Sequence, residues 1–388
     1  MATAEFSLTP VSGKYFIGRE AILKELWDEL SDAKSHIGFC LYGKRRMGKT
    51  SILLETKAGL DKRKDIVISY ISFYDMPELS QGILAETLVS GIIEAYQQKG
   101  LLPLDISIKE LFKAPLGVVL NLLKNAKIET KIVEQIKVTF EYKDVKKGSY
   151  EYIRHAFGIG ETLAEATHTK CVIILDEFPE IIKVENGLQL VKMLRTQYEQ
   201  QRRTALVISG SIRRTLDAVA LSDSSPFYKQ LVPKHILPFN KVEVAEFLKA
   251  YLGKMPQEEL DKLYALTGGS PFYLQFIGRA TKYEGTVEEV IGKFINQEGD
   301  LFFKEEFEKL SSKEKGIVIA LCEGKRTLTD IAQVLNEPAT TVGSYLPSLT
   351  DTDVLQKESR GTYFLPDSLF AYWLRMRFRN AGFGPLKE

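Results

Sequence analysis

The chain has 388 residues, of which 44% are hydrophobic and 27% charged, as in ordinary globular proteins with two or three domains. Its 52 basic and 51 acidic residues nearly cancel, which excludes wholesale electrostatic attraction to nucleic acid. Cys40, Cys171 and Cys322 lie far apart in apolar stretches, so buried free thiols are expected rather than a disulfide or a metal set. Without a long apolar run or a signal-peptide pattern, no membrane span and a cytoplasmic location are expected.

The first recognisable element is a short apolar run, His36–Tyr42, which predicts a buried strand. The loop Gly43-Lys44-Arg45-Arg46-Met47-Gly48-Lys49-Thr50 follows it, and Thr50–Leu60 has the pattern of a helix. The loop matches G-x-x-x-x-G-K-[ST] at every fixed position, in the strand–loop–helix context of a P-loop. The structural alternative is a glycine turn beside an exposed lysine.

The residue types of this loop suit a bound triphosphate. Glycines let backbone N–H groups turn inward around anionic oxygens, and the following helix directs its positive end at the phosphates. Lys49 is expected to reach the β- and γ-phosphates and the Thr50 hydroxyl to ligate Mg²⁺. We include Ser51, next in the chain, in the nucleotide-binding segment. Arg45 and Arg46, although within that segment, are interpreted as surface charges of the loop.

A second strand, Asp65–Phe73, and a helix, Pro77–Gly100, are predicted next. Residues 101–150 are less regular and are interpreted as an insertion with a strand or hairpin at Ile132–Val145. The surplus of lysine in this insertion indicates a solvated face rather than a binding patch.

After a predicted helix, Tyr150–Thr167, the apolar strand Cys171–Leu175 ends in two acids, Asp176 and Glu177. The carboxyl end of a parallel strand is where open α/β folds bind ligands. We expect Asp176 to hold Mg²⁺, directly or through water, and Glu177 to polarise the attacking water. The alternative is a buried strand that ends in surface acids.

A further strand, Ala205–Ser209, ends in small polar residues, and Ser209 or Ser211 is expected to face the γ-phosphate or the water. A plain serine turn is the alternative. One more strand is predicted at His235–Leu237. Strands that alternate with helices indicate a parallel sheet covered by helices on both faces, an α/β P-loop fold.

The remainder of the chain is predicted to be largely helical. Helices are expected at Val242–Leu252, Glu258–Leu266, Pro271–Tyr283, Lys313–Cys322, Leu328–Leu335 and Thr340–Leu349. Two short strands, Val354–Ser359 and Thr362–Leu365, then suggest the ribbon of a winged helix. The predicted domains are a P-loop core (1–239), a helical lid (240–305) and a winged helix (306–388).

Six segments of the chain together resemble the archaeal ATPase family, a P-loop group related to AAA+ and STAND NTPases. They are Phe16–Glu20, Gly43–Thr50, Ile174–Phe178, Ser209–Ser211, Thr267–Leu274 and Tyr363–Trp373. The resemblance implies an ATPase that uses ATP and Mg²⁺. It also implies that Gly18 and Arg19 lie near the adenine and that Pro271 belongs to a lid turn packed on the base.

One departure from the family concerns the arginine finger. Many relatives have L-Y-G-R after the sensor strand, where this chain has Pro226–Gln230. Lys229 lacks the planar fork of arginine and is not an equivalent substitute. Arg213 and Arg214 are an alternative source of that positive charge. The other interpretation is that they form ion pairs on the surface of a helix.

Three functions are compatible with the sequence. The first is hydrolysis of Mg·ATP that drives a domain rearrangement, and the second is a slow nucleotide-gated switch that controls DNA or protein binding. The third, a phosphotransferase, lacks a recognisable acceptor pocket. The recognition helix expected at Thr340–Leu349 contains no lysine or arginine, so weak DNA binding and packing on protein stay open. A nucleotide-dependent oligomer is also allowed.

Overall fold

A computed structural model describes residues 7–102, 150–211, 216–359 and 361–378, together with residues 133, 134 and 137. It divides into two compact units. The first, here called the sheet unit, comprises Pro10–Gly43 and Lys49–Ile236. The second, the C-terminal unit, comprises Leu237–Glu388 with Met1–Thr9 and the loop segment Lys44–Gly48. Most of the insertion predicted at 101–150, with its strand or hairpin at Ile132–Val145, lies outside the described residues.

The sheet unit is built on five parallel strands in the order β2-β3-β4-β1-β5. They are β1 (Gly38–Tyr42), β2 (Ile66–Ser72), β3 (Lys170–Asp176), β4 (Thr204–Gly210) and β5 (Leu231–His235). β3 and β4 are buried along their whole length, as expected for strands covered on both faces. The predicted parallel α/β sheet is therefore confirmed.

Five α-helices in the described part of the sheet unit pack with this sheet. They are α1 (Glu20–Ser31), α2 (Lys49–Leu60), α3 (Gln81–Gln98), α4 (Tyr150–Thr167) and α5 (Gly187–Gln200). Buried aliphatic and aromatic side chains of α3, α4 and the strands, among them Tyr96, Phe157 and Ile173, form one continuous core. This core holds the strands in fixed register.

The register aligns the carboxyl ends of neighbouring strands. Tyr42 at the end of β1 pairs with Gly210 at the end of β4, and Ser72 of β2 pairs with Asp176 of β3. Residues that follow these strands are consequently brought to one edge of the sheet, where the candidate site lies.

The fifth strand corrects one prediction. We expected a strand at His235–Leu237, but β5 ends at His235 and its residues alternate between buried and exposed. β5 contains Pro233 and lies at the edge of the sheet, where a residue without a backbone N–H is tolerated. An edge strand needs no continuous apolar run. A prediction based on apolar runs therefore placed this strand several residues too late in the chain.

The described residues of the C-terminal unit are mainly helical, with one short ribbon. Its helices are α6 (Lys241–Leu252), α7 (Gln257–Thr267), α8 (Pro271–Glu284), α9 (Val287–Gln297), α10 (Glu305–Glu308), α11 (Ser312–Cys322), α12 (Leu328–Leu335), α13 (Ala339–Asp351) and α14 (Ser368–Phe378). Capping boxes begin three of these helices, at Asn240, Thr286 and Ser311. None of the helices in the described part of the chain has the length and apolar character that a bilayer crossing requires.

Two antiparallel strands, β6 (Gln356–Ser359) and β7 (Thr362–Phe364), follow α11, α12 and α13. This order, three helices followed by a two-stranded ribbon, was predicted from the sequence. The assignment of this region as a winged helix, like the three-domain division at 239 and 305, stays a prediction.

Candidate nucleotide site

The loop between β1 and α2 depends on two glycines. Gly43 has a φ of +151°, and a Cβ there would lie 2.4 Å from the carbonyl oxygen of Ile236. Gly48 has a φ of +87°, and a Cβ there would meet nothing within 4 Å. Gly43 is therefore required by both conformation and space, whereas Gly48 is required by conformation alone. Lys49 is only 4% exposed, and its Nζ donates to the carbonyl oxygen of Gly43 at 2.9 Å.

A single buried carboxylate, that of Asp176, collects donors from three neighbouring elements. Its Oδ2 accepts from Thr50 Oγ1 at 2.8 Å and from Tyr70 Oη at 2.8 Å. Its Oδ1 accepts from Ser209 Oγ and from the backbone N–H of Glu177 at 3.1 Å. The predicted magnesium residues Thr50 and Asp176 are thus in direct contact. Ser209, one of two serines considered for the phosphate, is directed at Asp176 instead.

Glu177 occupies a left-handed backbone conformation, with a φ of +52°. A non-glycine residue adopts it at a cost of about 1–3 kcal/mol, and such residues cluster at functional sites. Its Oε2 accepts from the backbone N–H of Ser211 at 3.3 Å and from Ser211 Oγ at 3.2 Å. In this structure Ser211 therefore donates two hydrogen bonds to the Glu177 carboxylate, and its catalytic role stays a prediction.

Five residues of the loop, Lys44–Gly48, belong by their contacts to the C-terminal unit. Lys44 Nζ donates to the carbonyl oxygen of Asp353 at 3.1 Å, and burial lowers the pKa of Lys44. The guanidinium of Arg46 lies 4.4 Å from the ring centre of Phe272 and 5.1 Å from that of Phe302. Arg46 is exposed, as predicted, but it also makes specific aromatic contacts.

The other loop residues named from the sequence have simpler surroundings. Arg45 is exposed, and Met47 is 8% exposed. Ser51 Oγ accepts from the backbone N–H of Val11 at 3.1 Å, so in this structure its hydroxyl faces the segment that precedes α1. Its nucleotide role stays a prediction.

Residues assigned through the family resemblance are placed by the structure as follows. Gly18 and Arg19 both have positive φ and immediately precede α1. Pro271 is the first residue of α8 in the C-terminal unit. Lys229 has its Nζ 5.3 Å from the ring centre of Tyr228. The arginine-finger candidates Arg213 and Arg214 lie outside the described residues.

Sequence reasoning missed Tyr70. This tyrosine lies within the apolar run of β2, where it has the appearance of a core residue. Its place in the site follows from strand order, because β2 lies next to β3. The phenol of Tyr70 is long enough to reach past the residue paired with it on β3 and to contact Asp176. A hydroxyl two residues before the end of a strand beside the acidic strand was the available signal.

Fold and site together define a P-loop nucleotide-binding protein, with a loop between strand and helix, a buried lysine and a neighbouring acidic strand end. Comparison with known families gives the narrower assignment. Residues 16–277, well over half of the chain, match the family described as an ATPase domain predominantly from Archaea. The chain belongs to this family, and the resemblance noted in the sequence is confirmed.

Individual relatives are distant. A protein of Methanocaldococcus jannaschii named uncharacterized protein MJECL04 is 27% identical over 221 residues, which cover 54% of this chain and 49% of that protein. The chain thus spans about half the length of this relative.

Two solved structures show the same fold. The Walker-type ATPase PABY2304 of Pyrococcus abyssi superposes with a TM-score of 0.68 at 20% identity, covering 95% of this chain and 99% of that one. The Aeropyrum pernix ORC2 protein, solved with ADPNP and ADP, gives 0.53 at 15% identity, covering 93% and 95%.

Family membership and site agree on the activity. Residues 16–277 form an ATPase domain of this family. The alternative considered from the sequence, a slow switch that merely times an interaction, is not favoured.

Proposed function

We propose that the carboxyl edge of the sheet unit hydrolyses ATP as its magnesium complex. The observation that carries the proposal is the 2.8 Å hydrogen bond between Thr50 and Asp176, beside the buried Lys49. Thr50 and Asp176 would hold the metal, and Lys49 would neutralise the β- and γ-phosphates.

The residues present fit Mg²⁺. Thr50 Oγ1 and the Asp176 carboxylate are hard oxygen donors that meet at one point, as this ion requires. Within the described residues there is no cluster of three His, Cys, Asp or Glu that could hold a metal. Mg²⁺ is compatible with such a sparse set, because it commonly takes one or two protein ligands and completes its shell with phosphate oxygens and water. Bound there, it would neutralise developing phosphate charge.

Glu177 is the residue that we propose to orient and polarise the attacking water. It directly follows Asp176, and two donors of Ser211 fix one of its oxygens. Its other oxygen, Oε1, is the one proposed to accept the proton of the water.

Glu177→Gln tests this role. The amide keeps the size of the side chain but cannot act as a base, so turnover should fall by about 100-fold or more while ATP binding stays intact. Steady-state phosphate release and ATP titration by calorimetry measure the two effects. Glu185→Gln, at an exposed position nearby, is the matched control. Turnover within about threefold of wild type in Glu177→Gln would remove Glu177 from the mechanism.

We also propose that turnover is coupled to rearrangement of the C-terminal unit. The support is local. Lys44–Gly48 belong to the loop that matches the phosphate-binding motif. Within this segment Lys44 contacts Asp353, and Arg46 contacts Phe272 and Phe302. A change in loop backbone on binding or losing a phosphate would alter those contacts. Hydrogen exchange of α13, which ends beside Asp353, should then differ between ADP and a non-hydrolysable ATP analogue. Identical exchange in both states would contradict the coupling.

For the C-terminal unit we propose a protein contact rather than DNA. The support is that α13, the helix expected to enter a groove, carries no lysine or arginine. Phosphate neutralisation supplies most non-specific DNA affinity, so this helix is poorly suited to it. Duplex or single-stranded DNA should leave ATP turnover unchanged, and a stimulation that fades with added salt would overturn this part of the proposal.

A further inference from the structure

The Asp176 carboxylate is saturated with donors. Thr50 and Tyr70 share Oδ2, while Ser209 and the Glu177 backbone share Oδ1. A carboxylate offers about four acceptor sites, so the four donors account for all of them. Thr50 and Asp176 can both turn toward a cation only if their mutual hydrogen bond opens. The donors that remain must then keep the carboxylate from rotating.

The position of Tyr70 lets it keep its hydrogen bond to Asp176 when Thr50 turns toward the cation. It pairs with Ile174 of β3, two residues before Asp176, so both side chains lie on the same face of adjacent strands. The long phenol spans this diagonal and reaches Oδ2 at 2.8 Å. A serine at this position would be too short for the contact.

The protonation state of Tyr70 suits a permanent donor. An ordinary tyrosine phenol has a pKa of about 10, well above neutral pH. The hydroxyl therefore keeps its proton throughout the working pH range. A hydrogen bond from such a donor to an ionised carboxylate is charge-assisted and short, and it fixes the orientation of the acceptor.

We propose that Tyr70 is a positioning residue for the metal-binding carboxylate: its hydroxyl fixes Asp176 so that Oδ2 faces the cation once Thr50 has turned away. The proposal rests on the magnesium role of Asp176 proposed above. Residues that orient a metal ligand commonly change metal affinity by about 10- to 100-fold when they are removed. The contact of Tyr70 is with Asp176, so its loss should act on the metal and leave nucleotide affinity unchanged.

Tyr70→Phe removes only the hydroxyl. In the full-length protein with ADP bound, Mn²⁺ titrated under electron paramagnetic resonance should bind about 10-fold more weakly than to wild type. The Mg²⁺ concentration that gives half-maximal turnover should rise by a similar factor. ADP affinity measured in EDTA should stay within about twofold of wild type. Tyr74→Phe, at an exposed tyrosine four residues later, is the matched control.

Asp176→Asn separates the two proposals. If Asp176→Asn loses the metal while Tyr70→Phe binds it like wild type, the positioning role is wrong and the metal site stands. If Asp176→Asn also binds metal normally, the magnesium role itself is wrong. Should Tyr70→Phe fail to fold, Tyr70→Leu, which also lacks the hydroxyl, gives the same comparison, and unchanged Mn²⁺ affinity there overturns the proposal.

Discussion

The two units of the molecule bury different kinds of groups. Among the described residues, the charged side chains under 9% exposed are Lys49, Lys170, Asp176 and Glu180, and all four lie in the sheet unit. The buried polar residues of the C-terminal unit are the uncharged Thr267, Ser270 and Gln275. Its ion pairs are more exposed, as between Lys309 and Glu305.

The described core of the C-terminal unit contains a cluster of packed aromatic rings and no buried charged side chain. Phe303 alone has ring contacts with Tyr273, Phe294, Phe302, Phe370 and Trp373. Buried charge costs desolvation and persists where partners and function require it, whereas ring packing is stabilising by itself. The comparison teaches that stability and chemistry are carried by different residues, so substitutions should separate them.

The largest effect on stability is expected from Phe303→Ala. The ring is 1% exposed, and its removal leaves a cavity among five aromatic neighbours. We expect a loss of about 3–5 kcal/mol in the unfolding free energy, measured by chemical denaturation. Leu301→Ala, at a residue that is 82% exposed, should change it by less than about 0.5 kcal/mol. A small loss at Phe303 would break the comparison, because the aromatic cluster would then not determine stability.

Lys49→Met tests the opposite unit. Methionine fills the same space without the ammonium, so the fold should keep its stability while turnover falls by about 100- to 1,000-fold. Phosphate release and thermal unfolding report the two quantities. Lys57→Met, on the same helix α2 in an ion pair with Asp61, is the control and should retain turnover. A marked loss of stability in Lys49→Met would show that the buried charge supports the fold as well as the chemistry.

Thiol labelling should sharpen the comparison with the smallest perturbation. Burial raises the pKa of Cys40 and Cys171, in the sheet unit, to about 12, and it also raises that of Cys322. At pH 8 almost no thiolate is present in the folded protein, so labelling should require local opening. Cys322 is 5% exposed and Cys171 fully buried, so mass spectrometry should find Cys322 labelled first. The reverse order would mean that the sheet unit opens more readily.

Much of the fold and of the site could be predicted, because short sequence patterns indicate these strands and this loop. β3 and β4 are continuous apolar runs, and the loop before α2 matches a spaced motif with its strand and helix. The pairing of Thr50 with Asp176 followed from the rule that parallel strands align their carboxyl ends.

What was missed depended on tertiary context. Tyr70 becomes part of the site only because β2 lies beside β3, and a single apolar run contains no information on its neighbour. The helices α1, α5, α9, α10 and α14 were not assigned from the sequence. The contacts of Lys44 and Arg46 join positions hundreds of residues apart, and no local pattern predicts them.

The left-handed backbone at Glu177 has an evolutionary consequence. Glycine and asparagine adopt this conformation with less strain than glutamate, so the fold alone does not favour an acid here. A homologous chain that had abandoned hydrolysis would be free to relax this position while keeping Asp176 and the lysine of the loop. From the role proposed for Glu177, we expect the residue after Asp176 to act as a marker: glutamate in members that turn ATP over, glycine or asparagine in those that only retain it.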